Sequence, residues 1–442
     1  MKRIRSASLA LVSVCAVTAG LGAARPHYGG TLRVEMSDSS AVRERALPLV
    51  FETLTRIDAA RGARPLLADS WQGDASGTHW RVRLREGTRL HDGSVLQGWQ
   101  VASALRSVER TWTIEADGDL LTMDLPAPAP DLAWTLATPN HAIEVRALNG
   151  ARLGTGPFRL ERDDDNALSL RAFDDYREGR PFVDSVEARI RPAPSLMADL
   201  EAGRADVVAI APTDVRRVEG RGLSIAESAP MSLIALVFEP QRAGPEFAGV
   251  RRAVSAAVNR GTVASVLLQG HAAPARSVLP GWIPGYMSSP FQRKEPLARP
   301  AVAALPADQR TLTIRVDPSD LVARSVAERV VADAREWGFS LTVQAPAGLA
   351  PRADARIVHL RLSLLSPERM LVATLAARLF ALPDAMTRAT ENDLLDDGVI
   401  VPIVHVPDLY GMSENVATFN ARAVRESGEW NMASLWLRGV RR

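Results

Sequence analysis

The sequence predicts an α/β protein that is large enough to form more than one lobe. A chain of 442 residues with 46% hydrophobic and 24% charged residues can bury a large core. Short apolar runs typical of strands alternate along the chain with segments whose apolar residues follow a helical spacing. Residues 311–343 have the order strand, helix, strand, which is the pattern of a parallel crossover unit. We find no internal repeat.

The first half of the chain contains both strand signals and helix signals. Trp80, Val82 and Leu84 alternate with arginines, which predicts a strand with one buried face. Residues 205–210 are almost wholly apolar and predict a strand that is buried on both faces. The other predictions in this half are strands at 29–34, 158–160, 167–172 and 186–190 and helices at 96–108 and 195–201.

The second half continues in the same way. Residues 233–238 predict a buried strand, and Gly338 stands where a glycine commonly ends a helix. Residues 281–306 are rich in proline, and we expect this segment to wrap the surface. The remaining predictions are helices at 250–258, 262–268 and 323–337 and strands at 311–316 and 339–343.

The N-terminus has the organisation of a secretory signal. Basic residues between Met1 and Arg5 precede a short apolar run and a group of small residues. We expect cleavage after Ala23 or Ala24, which would place the protein in the periplasm or another extracytoplasmic compartment. A lipoprotein signal is one alternative, but a valine rather than a small residue precedes Cys15. An uncleaved anchor is another, but the apolar run is shorter than the roughly 20 residues that span a bilayer.

Charge and composition exclude several classes of function. Cleavage of the signal would remove three basic residues and change the formal charge from +2 to −1, so no nucleic-acid partner is implied. A chain that begins at Arg25 would hold no cysteine and one lysine, Lys294, and we therefore expect no disulfide. The seven histidines lack ligand spacing, and no catalytic serine or zinc-protease motif occurs. We expect neither an enzyme nor a metal or cofactor site.

Several segments, taken in order, resemble one family. The stretch from Pro65 to Ser94 joins the predicted strand at Trp80 to a turn, His91-Asp92-Gly93. In isolation that turn suggests a metal or catalytic site, but we interpret it as a structural turn, since glycine favours such positions. The other matching segments are VFETLTR at 50–56, GTGPF at 154–158, DDYREGRPFVD at 174–184, LEAGRAD at 200–206, VRRAVSAAVNR at 250–260 and VPIVH at 401–405.

This order resembles the extracytoplasmic solute-binding proteins of oligopeptide and dipeptide ABC transporters, known as family 5. Members of that family bind peptides, nickel chelates, haem or small glycosides. The resemblance implies a type II periplasmic-binding-protein fold with two α/β lobes, crossing hinge strands and an inserted third subdomain. Mapped onto this chain, it implies a signal peptide at 1–24, a first lobe at 25–46, 154–232 and 407–442, an inserted subdomain at 47–153 and a second lobe at 233–406.

The function implied by the resemblance is capture of a peptide or similar small solute by lobe closure. An ABC permease would then receive the solute, and its ATPase must be a separate chain because no phosphate-binding P-loop motif occurs here. We expect the binding protein to be a monomer. The span from Gln344 to Val399 is short and has no tyrosine or tryptophan, which motivates an alternative: a degenerate member that acts as an envelope sensor or interaction protein without transport.

Candidate ligand-binding residues follow from position and residue type. Asp38 and Arg43 come just after the first strand, where they could meet a charged ligand end, although solvated loop charges are the plainer interpretation. His405 could face the cleft or be a core histidine. Four aromatic residues could stack on a ligand or simply pack: Phe238, Trp282, Tyr286 and Tyr410.

Overall fold

The structure is a computed structural model, which describes residues 26–58, 62–283, 286, 298–344, 353–362, 365, 367–376, 388–418, 424–425 and 428–439. The predicted signal peptide lies outside these residues. The strands are β1 (Thr31–Met36), β2 (Thr55–Asp58), β3 (Gly62–Pro65), β4 (Ala68–Gly73), β5 (His79–Leu84), β6 (Thr113–Asp117), β7 (Leu120–Asp124), β8 (Val145–Arg146), β9 (Arg152–Leu153), β10 (Phe158–Asp163), β11 (Ala167–Ala172), β12 (Ser185–Ile190), β13 (Val207–Ile210), β14 (Ser224–Phe238), β15 (Ala273–Pro274), β16 (Thr311–Arg315), β17 (Ser340–Gln344), β18 (Ala355–Arg361), β19 (Ile400–Met412), β20 (Val416–Thr418) and β21 (Leu435–Leu437).

The helices carry most of the remaining regular structure. The sequence-predicted strand and helix positions are confirmed, apart from the differences given below. The helices are α1 (Ser39–Ala46), α2 (Gly98–Val108), α3 (Leu132–Thr135), α4 (Ala193–Glu201), α5 (Val215–Glu219), α6 (Ala248–Ala257), α7 (Arg260–Thr262), α8 (Arg299–Ala303), α9 (Ala307–Arg310), α10 (Leu321–Arg335), α11 (Pro367–Ala376) and α12 (Arg388–Asp396).

A single mixed sheet runs through the described part of the molecule. Its strand order is β10-β11-β12-β1-β13-β19-β14-β18-β16-β17, and β15 pairs with β19. Strands β16 and β17 are parallel and are joined by α10, which confirms the predicted crossover unit. Two long strands, β14 and β19, form the centre of the sheet. They connect the strands on its two sides and are the crossing strands that the resemblance implies.

The pairing of β14 with β19 is irregular at its middle. Pro230 lies opposite Pro407, and the register shifts on both sides of this pair. Proline cannot donate a ladder hydrogen bond, so the ladder between the two strands is interrupted here and then resumes. The sequence-predicted strand at 233–238 was therefore too short, because β14 begins before the proline at Ser224. The crossing strands are weakest where the two halves of the sheet meet.

The two faces of the second half of the sheet are both covered. On β14, Ile234, Leu236 and Phe238 contribute to one core cluster, while alternate residues such as Leu233 and Ala235 contribute to another. This period of two is that of a strand buried on both faces. Residues 281–306 were expected to wrap the surface. For the first described residues of this segment the prediction is wrong, because Ile283 and Tyr286 are buried in the second cluster.

A separate sheet forms the core of the inserted segment. Strands β4, β5, β7 and β6 pair in that order, and α2 packs on them. On β5, Trp80, Val82 and Leu84 are buried and the residues between them are exposed, as the alternation predicted. The predicted helix at 262–268 differs from expectation, since α7 continues as one π-helical turn, Val263–Leu267. The domain boundaries given above stay a prediction.

Candidate functional site

A cavity of about 800 Å³ lies between the first lobe and the inserted segment. Helix α1 and the turn after it form one wall, and α2 forms another. Arg425, Glu429 and Trp430, which lie beside or in a β-bridge between Val424 and Trp430, contribute a third wall. Its lining is partly apolar and partly charged, which is the composition of a site for a small polar solute.

The floor of the cavity holds a buried carboxylate, Glu52. Its oxygens accept hydrogen bonds from the Thr155 hydroxyl at 2.9 Å, the Tyr176 hydroxyl at 3.1 Å and the Arg177 guanidinium. Burial of a carboxylate is costly unless it is paired and hydrogen-bonded, and Glu52 meets both conditions. This carboxylate therefore joins the inserted segment to the first lobe and is not free to bind a solute.

Two glycines allow close packing at this contact between the inserted segment and the first lobe, which we call a joint. A side chain at Gly154 or Gly156 would place its Cβ 2.0 Å from the Val50 carbonyl oxygen or 2.3 Å from the Leu49 carbonyl oxygen. Only glycine permits such close approach of two backbones. The GTGPF segment thus packs directly on the chain that leads into Glu52.

His91 completes this joint. Its Nδ1 accepts a hydrogen bond from the Gly154 amide at 3.2 Å, and its Nε2 donates to the Gly156 carbonyl at 3.1 Å. Its ring meets Phe173 edge-on. Burial lowers the pKa of His91 to about 4, so the imidazole is neutral at pH 7. These are the contacts of a structural histidine, in agreement with the interpretation of His91-Asp92-Gly93 as a structural turn.

Most charges on the cavity wall are already paired within the protein. Arg43 bonds Asp163 at 2.9 Å, and Arg152 bonds Glu144 at 2.8 Å while its guanidinium lies over the Phe51 ring. The remaining pairs are Arg146 with Glu144, Arg425 with Glu429 and Glu44 with Arg361. Arg56 also lines the cavity, and it has no ion pair or hydrogen bond to any described side chain.

Two tryptophans line the cavity, and they differ in exposure to solvent. Trp99 on α2 is 64% exposed, an unusual position for a large apolar ring. Trp430 is 2% exposed, and its ring packs edge-on against Tyr410. The exposed ring of Trp99 is therefore the one of the two that is suited to contact with a bound molecule.

A second charged cluster lies beside the cavity, where the two lobes meet. Asp408 of β19 accepts from Arg361 of β18 at 2.6 Å and from Arg45 of α1 at 3.1 Å. Arg361 also donates to Glu44 of α1 at 2.9 Å. Burial and the two carboxylates act on Arg361 in opposite directions, and its pKa is raised. The cluster ties the second lobe to α1, which also lines the cavity.

Of the sequence-predicted site residues, Arg43 lines this cavity and Asp38 does not. Asp38 caps α1, where its carboxylate accepts from the Ser40 and Ala41 amides. Phe238 is 1% exposed in the core of the second lobe. The ligand-binding role predicted for these residues stays a prediction.

The other predicted aromatic residues have partners inside the protein. Trp282 donates from its indole to the Pro230 carbonyl at 2.9 Å, and the Tyr286 hydroxyl donates to Glu391 at 2.7 Å. Tyr410 is buried in the first-lobe core against Trp430, and burial raises its pKa to about 12. None of these three predicted residues lines the cavity.

His405 lies on β19 and is also buried. It bonds the Val278 carbonyl at 3.1 Å, and burial lowers its pKa to about 4. Its environment is that of a satisfied core histidine, and the structure does not bring it to the cavity with Arg43.

Sequence reasoning missed several residues that the structure brings to the cavity. Trp99 carries a usable signal, because it lies on α2 outside the predicted apolar stripe of Val101 and Leu105. Arg56 and Trp430 carry no such signal, since their roles depend on contacts between distant segments. The residues missed at or beside the cavity are Glu44, Glu52, Arg56, Trp99, Arg425 and Trp430.

Two further kinds of feature are absent from the described residues. No group of three or more histidine, cysteine or acidic side chains is arranged to hold a metal ion within these residues. Among the helices of the described ranges, none combines the length and the apolar character that crossing a membrane requires.

Solved structures of similar shape share the fold over nearly the whole chain. The substrate-binding protein CtaP from Listeria monocytogenes superposes with a TM-score of 0.76 at 17% identity and covers 93% of this chain and 100% of that chain. The oligopeptide-binding protein AppA from Bacillus subtilis, in complex with a nonapeptide, gives a TM-score of 0.68 at 17% identity over 93% of this chain and 100% of that chain. These likenesses confirm the type II fold.

Curated relatives match over shorter stretches. AppA of Bacillus subtilis (strain 168) is 25% identical over 253 residues, which are 50% of this chain and 47% of that protein. The HTH-type transcriptional regulator SgrR of Escherichia coli (strain K12) is 28% identical over 169 residues, 35% of this chain and 30% of that protein. The chain thus spans less than half the length of either relative.

A family-wide match covers more than half of the chain. Residues 62–357 match the family described as bacterial extracellular solute-binding proteins, family 5 middle. This range includes the joint built by His91 and the GTGPF segment, the strand β14 and the crossover unit. The chain belongs to the bacterial extracellular solute-binding proteins of family 5.

Proposed function

We propose that this protein captures a peptide or similar small solute in the cavity beside α1 and delivers it to an ABC permease. The observation that carries this proposal is the cavity itself. Its volume of about 800 Å³ suits a small solute, and it combines paired charges, aromatic rings and one unpaired arginine. The ATPase that powers transport would be a separate chain.

Lobe closure would supply much of the affinity. The crossing strands β14 and β19 are interrupted by Pro230 and Pro407, so the two lobes have a natural bending point there. Glu44 on the cavity wall contacts Arg361 of the second lobe at 2.9 Å. Movement of the second lobe would therefore displace the cavity wall at Glu44, and closure would remove a bound solute from water.

The test is thermal stabilisation of the purified protein by a broad panel of dipeptides, peptide amides, sugars, sugar phosphates and nickel chelates. A solute at about 100 times its Kd adds roughly 2.7 kcal/mol to the native state, which gives a clear rise in Tm. Trp99→Ala should weaken binding about tenfold, because an exposed ring on the wall has few other roles.

The matched control for that variant is Val95→Ala. Val95 is also exposed and apolar in the inserted segment, but it does not line the cavity. Equal loss of binding in both variants would contradict the assignment of the cavity. No stabilisation by any member of the panel would overturn the proposed function.

We also propose that the protein is extracytoplasmic after removal of residues 1–24 and that it acts as a monomer. The support is the signal-like N-terminus together with membership of an extracellular family. Mass spectrometry of envelope fractions should find an N-terminus at Ala24 or Arg25, and an intact Met1 there would contradict cleavage. Sedimentation should give a mass near that of one chain.

A second candidate function is sensing without transport. The partial similarity to SgrR, which is named as a transcriptional regulator, favours it, because the matching stretch there belongs to a regulatory protein. Affinity capture from envelope extracts separates the two functions. Recovery of a permease supports transport, and recovery of a regulatory partner without a permease supports sensing.

A further inference from the structure

Two arginines face each other at the edge of the cavity without a carboxylate between them. Strands β2 and β3 form an antiparallel hairpin in which Arg56 lies directly opposite Arg64. Directly opposed residues share a face of the hairpin, with Cβ atoms about 4.5–5.5 Å apart, and like charges in this position repel each other. A hairpin tolerates such a pair most easily when a negatively charged group nearby offsets the two positive charges.

The shared face points away from the hairpin's own packing partner. Thr55 and Ile57, which flank Arg56 on β2, are buried, and the Thr55 hydroxyl donates to the Ala133 carbonyl of α3 at 2.6 Å. Successive side chains of a strand point to opposite faces, so Arg56 faces away from α3. Its position in the cavity lining agrees with this orientation.

Neither guanidinium group has an ion pair or a hydrogen bond among the described residues. Asp58, two positions along the same face of β2, already has an interaction of its own. Every other arginine on the cavity wall has a carboxylate within 4.0 Å, as described above. Arg56 is half-buried in the cavity lining, and Arg64, opposite it on the same face of the hairpin, is exposed and does not itself line the cavity.

The chemistry of the pair selects its counterpart. A guanidinium presents a planar set of N–H donors that matches a carboxylate or a phosphate, and such bonds are about twice as strong as those between neutral groups. Two guanidiniums on one face can bind one anionic group together. An anion here would also remove the repulsion between Arg56 and Arg64.

We propose that Arg56 and Arg64 form an anion subsite, which makes the solute of this protein one that carries a carboxylate or phosphate group. The inference rests on the proposed solute-binding function and adds the chemical class of the solute. Arg56 makes the direct contact inside the cavity. Arg64 strengthens the positive potential at the edge and assists capture.

The experiment compares paired probes that differ only in the anionic group. Alanyl-alanine is compared with its C-terminal amide, and glucose 6-phosphate with glucose, by calorimetry on wild-type protein and on Arg56→Gln, Arg64→Gln and Arg83→Gln. Arg83 is an exposed arginine on β5 of the same inserted segment, lies outside the cavity, and has no ion pair to a described residue. It is the matched control.

We expect the anionic member of one pair to bind more tightly than its neutral partner, and the pair that responds distinguishes carboxylate from phosphate. Arg56→Gln should weaken that binding about ten- to a hundredfold, as loss of a charge-assisted bond predicts. Arg64→Gln should weaken it less, and Arg83→Gln should leave it unchanged. The affinity should also fall as salt is added.

Stability of the unliganded protein separates a binding role from a structural one. Removal of one charge from a repelling pair should leave the Tm of Arg56→Gln unchanged or raise it, whereas loss of a structural arginine would lower it. Equal binding of the anionic and neutral members of both pairs, or equal binding of the anionic probe by wild type and Arg56→Gln, overturns this inference and leaves the proposed function standing. Absence of binding by every probe and by the broad panel overturns both.

Discussion

The molecule contains two joints, and they differ in how completely their polar groups are satisfied. The first joint links the inserted segment to the first lobe and centres on Glu52 and His91. The second links the two lobes and centres on Asp408 and Arg361. Both joints bury charge, both border the same cavity, and both join segments that are far apart in the sequence.

The first joint is saturated. Glu52 accepts bonds from three side chains, and both nitrogens of His91 bond backbone groups of the GTGPF segment. Gly154 and Gly156 then bring the two backbones together so closely that no side chain could be inserted. A fully bonded polar network surrounded by tight packing is rigid.

The second joint leaves polar atoms unused. The Asp408 Oδ2 and the Arg45 Nε are buried without hydrogen-bond partners among the described residues. The strands that cross here carry Pro230 and Pro407 opposite each other, with a shifted register on each side. Rearrangement at this point breaks few ideal bonds, so it costs less than at the first joint. We therefore interpret the first joint as fixed and the second as movable.

The largest effect that this comparison predicts is from Glu52→Ala. The change leaves the Arg177 guanidinium, whose side chain is only 19% exposed, without its main counter-charge. We expect the free energy of unfolding to fall by about 3 kcal/mol, as for other broken buried pairs. Urea denaturation measures this fall. Glu178→Ala is the control, since Glu178 contacts the same arginine from an exposed position and should cost little.

The next effect is a loss of stability in acid. The pKa of His91 is about 4 in the folded protein and near 6.5 in the unfolded chain, so the unfolded chain takes up the proton first. Stability from this group is complete above pH 6.5 and falls as the pH decreases, by roughly 2 kcal/mol at pH 5. His405 acts in the same direction.

The variant that isolates this effect is His91→Asn. It should be less stable at pH 7 but lose less additional stability between pH 7 and pH 5 than wild type does. His79→Asn is the control, since the His79 ring is 65% exposed and makes a surface pair with Asp124. An unchanged slope in His91→Asn would contradict the burial of a neutral imidazole at the first joint.

A smaller effect should follow from Asp408→Asn. The amide keeps the shape but loses the charge that holds Arg45 and Arg361 together, and we expect a loss of about 1–2 kcal/mol. The released arginines should also favour the open arrangement of the lobes, which X-ray scattering would detect as a larger radius of gyration. A loss as great as that of Glu52→Ala, with no change in size, would contradict a movable second joint.

The smallest effect should follow from Arg43→Ala. Its ion pair with Asp163 is partly exposed on both sides, at 32% and 24%. Such pairs contribute less than about 1 kcal/mol, so the urea midpoint should change little. A large change in the urea midpoint would show that the α1 wall of the cavity depends on the ion pair between Arg43 and Asp163.

The segments that build the first joint could be recognised in the sequence because they are local motifs, although the contacts of Glu52 within it were not predicted. Each part of the joint belongs to a short motif. The two glycines lie in GTGPF, the histidine lies in His91-Asp92-Gly93, and the Glu52 carboxylate lies in VFETL. The fold class followed in the same way from strand and helix periodicities. The lobe boundaries were inferred from the resemblance alone.

The second joint could not be anticipated. Glu44 and Arg361 are 317 residues apart, and neither lies in a motif. The prolines and polar residues near Pro230 and Pro407 also conceal the length of β14 and β19, because such residues are typical of strand ends. The cavity residues were missed for the same reason, since a cavity wall is assembled from segments that share no local pattern.

The first-lobe core draws on both extremes of the described chain. The ring of His27 lies 5.5 Å from that of Trp436, and Leu435 and Leu437 pack in the same cluster as Leu32 of β1. This core cannot close on the ribosome until about residue 437 has been synthesised, and contacts so distant in sequence form slowly. For the export proposed above, this delay is an advantage, because a polypeptide that folds late remains unfolded while it is translocated.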